Sequence, residues 1–452
     1  MTAKAAKKML SAISITIWRF RRYLVLSLVI SMIAIPFANF LVIERDRNRN
    51  EMYGEAFWRF GFNVYDMTDD EVAEALGYHP ENYTLPEYLG NVTYEYPVFG
   101  LIFFAIAAWL FPGQGGLQPL WLNFILTLVF NLNLVLVAIL LGERIFNKNW
   151  ARMLFGGYFV YGLIMSAGGG KLEPIVDCLL LLALVLNKEK QHGKAMFALG
   201  LSVQTKIYSV VALPILFITA PLSIIWFLAS TFITVIPFLF LGADFSTLLS
   251  HFLNTTEYSS YIVNPMFPGL FLATPDINSD PVTFYMWPPA LIPVVIYVTF
   301  MLFTFRPYLP LRADLMEASW HTKLKLLFPL YIYMLPAILF VFRWVMPWYL
   351  FWLGPMIFLF KEDEHAIGYL KQLTVVGFVY AFGILCNWPY FISGPLPDFL
   401  IHFPLGWYTL LGLFLLVLSA AVSFGIWRWT FKRRERRAQK IREAIARGEL
   451  VM

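Results

Sequence analysis

The sequence predicts an all-α polytopic membrane protein, and three observations predict it. Hydrophobic residues make up 59% of the 452 positions and charged residues 14%, too few to cover the surface of a water-soluble protein, so a bilayer has to solvate much of the chain. The apolar residues form continuous Leu-, Ile- and Phe-rich runs, not the alternating segments of roughly ten residues that build a β-barrel. Lys and Arg gather at the two ends and in short loops, the pattern that marks cytoplasmic edges and carries no nucleic-acid signal.

The first element is the apolar run 23–43, preceded by a basic arm over 1–22 with Lys4, Lys7, Lys8, Arg19, Arg21 and Arg22. The run is long and lacks a small-residue cleavage site, so it reads as a retained helix and not a signal peptide. A second basic segment, 429–452, closes the chain. Both ends therefore read as cytoplasmic, which requires an even number of spans. The basic loop at 143–152 also reads as inside, leaving room for one further span before it. The run 97–112 is short of the ~20 residues a crossing needs and reads as an interfacial helix; 119–142 is then the second span.

Continuing in this way gives roughly twelve spans within a single transmembrane domain over 23–428. The remaining ten fall at 152–168, 173–187, 194–206, 207–220, 221–241, 284–305, 326–342, 347–360, 372–390 and 405–428. The two around Lys206 are short enough to be half-helices. The outer face then receives a long first loop, 44–96, the turn "GGGKLEP", a second loop, 242–283, and the segment 388–404. The sequons at Asn82, Asn91 and Asn254 fall in these outer pieces. Cys178 and Cys386 lie in apolar runs and give no sign of redox compartment.

Ionisable groups against or within a bilayer are costly, so each one asks for a role. In the first loop, Asp46 and Glu51 follow the first helix, and Glu95 and Tyr96 precede Pro97, where the interfacial helix begins. Asp69, Asp70 and Glu71 in "YDMTDDEV" read instead as the polar start of a helix. Arg45, Arg47 and Arg49 are anomalous on an outer face; either they pair with neighbouring acids or they help hold a phosphate. A second group is "AGGGKLEPIVD", with Lys171, Glu173 and Asp177, where three glycines let the backbone approach a ligand; an internal ion pair is the competing reading. Lys206 and Tyr208 stand in "QTKIYS", where the lysine either snorkels to the interface or binds a lipid phosphate. Arg343 adjoins Trp344 and Trp348, as a phosphate fork or as an interfacial anchor. No Walker loop, HExxH, GxSxG or CxxC is present, and His251 and His402 are isolated. An outer acid can act as general base for a hydroxyl, and cations can stabilise a phosphate leaving group.

In this order the pieces resemble the GT-C membrane glycosyltransferases, especially the polyprenyl-phosphate-mannose-dependent α-mannosyltransferases. The resemblance rests on Asp46 followed by Tyr53, Gly61 and "NVYD"; on Glu95-Tyr96-Pro97-Val98 opening the interfacial helix; and on "GGGKLEPIVD", "TKIYSVVALP" and "FRWVMPWYLFWLGP". It spans most of 20–360, and departs from the family where Val98 and Ser209 stand in place of prolines. It implies a GT-C-like fold and an inverting, metal-independent transfer of a sugar, most commonly mannose. The donor would be a polyprenyl-phosphate sugar and the acceptor a glycolipid or lipid-linked saccharide, met at the outer or luminal face of a plasma or endoplasmic reticulum membrane. Asp46 would be the base, with Glu51 the alternative. Glu95 would orient the acceptor or the cations, and Lys206, Arg343 and Lys171 would hold the donor phosphate. A lipid-linked glycan flippase or other transporter is the competing function, and a non-catalytic subunit of a membrane complex a further one.

Overall fold

The structure is a computed structural model that describes residues 3–36, 44–78, 93–94, 96–110 and 119–240, together with Trp352, Pro355, Phe358, Lys432, Arg436, Gln439, Glu443 and Arg447. Its contacts divide the chain into two compact units. One comprises Met1–Glu257, Tyr308–Leu327 and Phe351–Lys361, and holds nearly all of the described residues; the other comprises Tyr258–Pro307, Phe328–Leu350 and Glu362–Met452. The predicted spans from 284 onward and the loop 242–283 lie outside the described residues, apart from the isolated positions just named.

Among the described residues the architecture is all-α, with one isolated antiparallel bridge between Thr68 and Thr93 and no strand. The first helix, α1 (Ala3–Ala34), runs unbroken through the basic arm into the apolar run. The region predicted as the first outer loop opens instead with a helix, α2 (Glu44–Phe60), followed by a 3-10 turn over Gly61–Asp66 and by α3 (Asp69–Leu76). Periodicity alone did not reveal α2, because its buried face mixes Arg49, Asn50 and Glu51 with Met52, Tyr53 and Ala56. Helix α3 begins with a reciprocal capping box between Thr68 and Glu71, as the polar pattern predicts. The Thr68 backbone and hydroxyl hydrogen bonds hold the Glu71 carboxyl below its ordinary value. Gly77, at φ +74°, ends the helix in the left-handed conformation that glycine favours.

The predicted interfacial helix is α4 (Val98–Leu110), which packs along α2. At their crossing, a Cβ on Gly54 would stand 2.5 Å from the Phe104 carbonyl oxygen, so only glycine permits this approach. Then follow α5 (Pro119–Leu141), α6 (Arg144–Asn147), α7 (Asn149–Leu163) with a π-turn over Ile164–Gly168, α8 (Glu173–Lys188) and α9 (His192–Val203). The short predicted pair around Lys206 is indeed broken. Helix α9 stops at Val203, a 3-10 turn covers Ile207–Ala212, and α10 (Leu213–Thr219) has seven residues. A further helix, α11 (Ile224–Phe240), packs on α9. Helices α5, α8 and α9 form the centre, with α1 against α5.

Beside its apolar core, the bundle buries several polar groups and exposes large apolar ones. Asn123, Thr127, Asn133, Lys171, Glu173 and Asp177 are buried, while Trp18, Leu26, Ile33, Met153, Ile225 and Phe232 are exposed. Among the described residues, Leu122–Leu141 within α5 is the helix long and apolar enough to cross a membrane.

Candidate active site

The Gly-rich turn is built before any of its charges are placed. Helix α7 widens into the π-turn, and the chain then folds back through hydrogen bonds from Gly170 N to Ser166 O at 3.3 Å and from Lys171 N to Met165 O at 3.0 Å. Gly170 takes φ +58°, a left-handed conformation that glycine enters without strain. Three asparagine amides fix the carbonyls of this region. Asn123 of α5 donates to Ala167 O at 2.6 Å, Asn50 of α2 to Gly170 O at 3.2 Å, and Asn133 of α5 to Pro174 O at 2.7 Å. Opposite them, Gly162 lies under the Phe130 ring, where a Cβ would come within 1.7 Å of a ring carbon.

This turn delivers Lys171 into the interior at 2% exposure and starts α8 at Glu173, which has none. Lys206 arrives from the break after α9, in extended conformation (φ −157°, ψ 130°), and its Nζ donates to Glu173 Oε1 at 2.7 Å. The ammonium also stands 5.3 Å from the centroid of the Tyr96 ring and 5.6 Å from that of Trp352. Glu173 Oε2 is buried and accepts no hydrogen bond from the described residues. One turn along α8, Asp177 accepts from Tyr208 Oη at 2.8 Å and from Tyr158 Oη at 3.0 Å. The Tyr208 ring stacks on Trp352 with centroids 4.6 Å apart. Helix α4 closes the group, because Gly100 lets it approach the Thr205 carbonyl and the Leu172 side chain. Burial pushes the Lys171 ammonium down to about 7; the Glu173 carboxylate opposes that shift and the Lys206 charge reinforces it.

Six residues singled out from sequence therefore belong to one neighbourhood: Tyr96, Lys171, Glu173, Asp177, Lys206 and Tyr208. Glu51 is buried on α2, one residue beyond Asn50 and so roughly 100° around the helix from it. Asp46 lies in α2 one helical turn before Asn50, and its side chain is outside the described residues. Glu95 and Arg343 also lie outside them.

A second buried network lies beside the first. Arg49 Nε donates to Asp69 Oδ2 at 2.6 Å and Nη2 to Thr93 O at 3.0 Å, and Tyr53 Oη donates to Asp69 Oδ1 at 2.7 Å. The reading of Asp69 as a solvated helix start is thus corrected: its side chain has no exposure. The signal was present, since Asp69 falls in register with Val72, Ala73 and Leu76 on one face of α3. Of the two roles open to Arg49, it takes the ion pair. Tyr158, Asn50 and Trp352 carried no sequence signal that separates them from ordinary core residues. Among the described residues, no group of three or more His, Cys, Asp or Glu side chains is arranged to hold a metal ion.

Comparison with protein-family models, curated proteins and solved structures finds no match to this chain.

Proposed function

We propose that the chain is a membrane glycosyltransferase that moves a sugar, mannose by preference, from a polyprenyl-phosphate donor to a glycolipid or lipid-linked acceptor with inversion. The observation that carries this reading is the group at the Gly-rich turn, in which Lys171, Glu173 and Asp177 are buried and the partly exposed Lys206 pairs with Glu173. Two ammonium groups in a low-dielectric site suit a phosphate that gains charge as a bond breaks. The buried Glu173 Oε2 can accept a hydrogen bond from a substrate hydroxyl, and the half-buried Tyr96 ring beside Lys206 offers aromatic surface to a sugar. The exposed apolar side chains around this polar interior support a bilayer setting.

In the reaction, an α2 carboxylate takes the proton of the acceptor hydroxyl. The freed oxygen pair forms the new bond to the anomeric carbon from the face opposite the phosphate. The old carbon–oxygen bond breaks, its electron pair leaves with the polyprenyl phosphate, and Lys206 neutralises that charge, joined by Lys171 when the phosphate beside it keeps its proton on. Asp46 is the favoured base and Glu51 the runner-up; Asp46 shares its helix face with Asn50, which touches the Gly170 carbonyl. No metal is required by this scheme.

The test is transfer from a panel of polyprenyl-phosphate sugars by the purified protein. One donor is expected to give product, and Asp46→Asn is expected to lower its turnover by ~10²-fold or more while donor binding persists. Full activity in both Asp46→Asn and Glu51→Gln sinks the assignment of the base. A transporter of lipid-linked glycan is the second reading, favoured by the helix breaks at Gln204–Lys206 and at the π-turn beside buried charge. Donor crossing proteoliposomes without any covalent product would select it.

A further inference from the structure

We propose that the groove between α8, α9 and α11 holds one acyl chain of an anionic phospholipid whose phosphate sits on Lys190 and Lys194. The proposal rests on the bilayer setting argued above and not on glycosyl transfer. The groove has a volume of about 920 Å³, and its walls are Leu179, Leu182, Leu186, Phe197, Leu201 and Trp226. Its polar lining gathers at one end, with Lys190 and Gln191 in the α8–α9 connection and His192 and Lys194 in the first turn of α9. No acidic residue lines it. Trp226 packs closely on Gly193 in the first turn of α9, where a Cβ would lie 2.8 Å from the indole and push the ring aside.

Length and charge agree on the occupant. From Leu179 to Lys188 on α8, and from His192 to Leu201 on α9, each wall covers roughly 14 Å of helix. That is close to the depth of one leaflet, about half of the ~30 Å hydrocarbon core. Both ammonium groups stand at the same end, as an acyl chain with a negatively charged head demands, and that end is the connection read as cytoplasmic. Basic pockets between helices on that side are where anionic lipid heads bind.

The backbone decides which substitution tests the site. Helix α8 ends in a paired motif: Gln191 N donates to Leu186 O at 2.9 Å and Lys190 N to Asn187 O at 3.0 Å. The residue at its centre, Lys190, has φ +61°, where glycine is the favoured residue. Such a helix end accepts glycine at its centre without cost, so Lys190→Gly removes the charge and leaves the turn intact.

The test uses the full chain in nanodiscs carrying a photoactivatable phosphatidylglycerol or its phosphatidylcholine analogue, with crosslinked peptides identified by mass spectrometry. Phosphatidylglycerol is expected to label residues 179–201, and phosphatidylcholine to label them much less. Lys190→Gly relaxes the backbone, so folding is retained; combined with Lys194→Gln it is expected to lower labelling roughly thirtyfold. Leu182→Trp fills the groove with both lysines in place and is expected to reduce labelling as well. Equal labelling by the two lipids, or none at 179–201 in a protein that stays embedded, overturns the proposal. A protein released from membranes by alkaline carbonate would instead overturn the bilayer setting, and equal labelling does not touch that setting.

Discussion

At the scale of single residues, the decisive contrasts are between neighbours of identical type. Asp69 is buried against Arg49 and Tyr53, whereas Asp70, the next residue, is exposed. Removing one partner of a buried ion pair strands the other. Asp69→Asn is therefore expected to destabilise the protein by about 3–5 kcal/mol and Asp70→Asn by no more than ~0.5 kcal/mol, read as loss of Tm in detergent. Equal shifts would mean that the pair does not hold α2 to α3. Lys171 makes a prediction in pH. Its folded value of about 7 lies below its ordinary 10.5, so between them the unfolded chain carries the proton and the folded chain has released it. Stability from this group rises as pH climbs across that window and is lost as pH falls through about 7. The Tm of the native protein should thus gain on that of Lys171→Met between pH 7 and 10; a constant difference would show that Lys171 keeps its proton. Legibility at this scale followed chemistry. Lys171, Glu173 and Lys206 stood out as charges in apolar surroundings, while Tyr158 and Trp352, which hold Asp177 and Tyr208, looked like any other aromatic in a chain with 18% of them.

At the scale of elements, close helix approach depends on two glycines in different ways. A Cβ at Gly54 meets the backbone of Phe104, whereas at Gly162 it meets the flexible ring of Phe130. Gly54→Ala has to separate α2 from α4 and is expected to destabilise by ~1–3 kcal/mol with no side-chain remedy. Gly162→Ala is expected to be harmful alone and to be partly rescued by Phe130→Leu, measured as non-additive Tm shifts in a double-mutant cycle. Full additivity would mean that the two sites do not touch. Hydrophobic runs made α5, α7, α8 and α11 legible, because each is long and continuous. Helix α2 escaped the same reading because its apolar period is short: Met52, Tyr53, Ala56, Phe57 and Phe60 pack inward only in its second half, while the first half buries Arg49, Asn50 and Glu51.

At the scale of the whole molecule, the described residues bury Asn123, Asn133, Lys171, Glu173 and Asp177 beside an apolar core and expose large apolar side chains such as Trp18, Ile33 and Ile225, so transfer to water should lead to aggregation. The protein is expected to remain in membranes through alkaline carbonate and to aggregate when detergent is diluted below its micellar threshold; recovery in the soluble fraction would refute the bilayer setting. The order of motifs along the chain was readable, but their meeting in space was not, because it depends on Asn50, Asn123 and Asn133 bridging from two helices. Those three amides also bear on time. A run of three glycines would ordinarily open and close in nanoseconds to microseconds. Here the turn cannot open without breaking its ties to α2 and α5, so its opening should draw on the free energy of the bundle. Backbone amides from Gly169 to Lys171 should exchange with solvent deuterium as slowly as those in the middle of α8, and a ligand that reaches the two lysines would find the turn already standing.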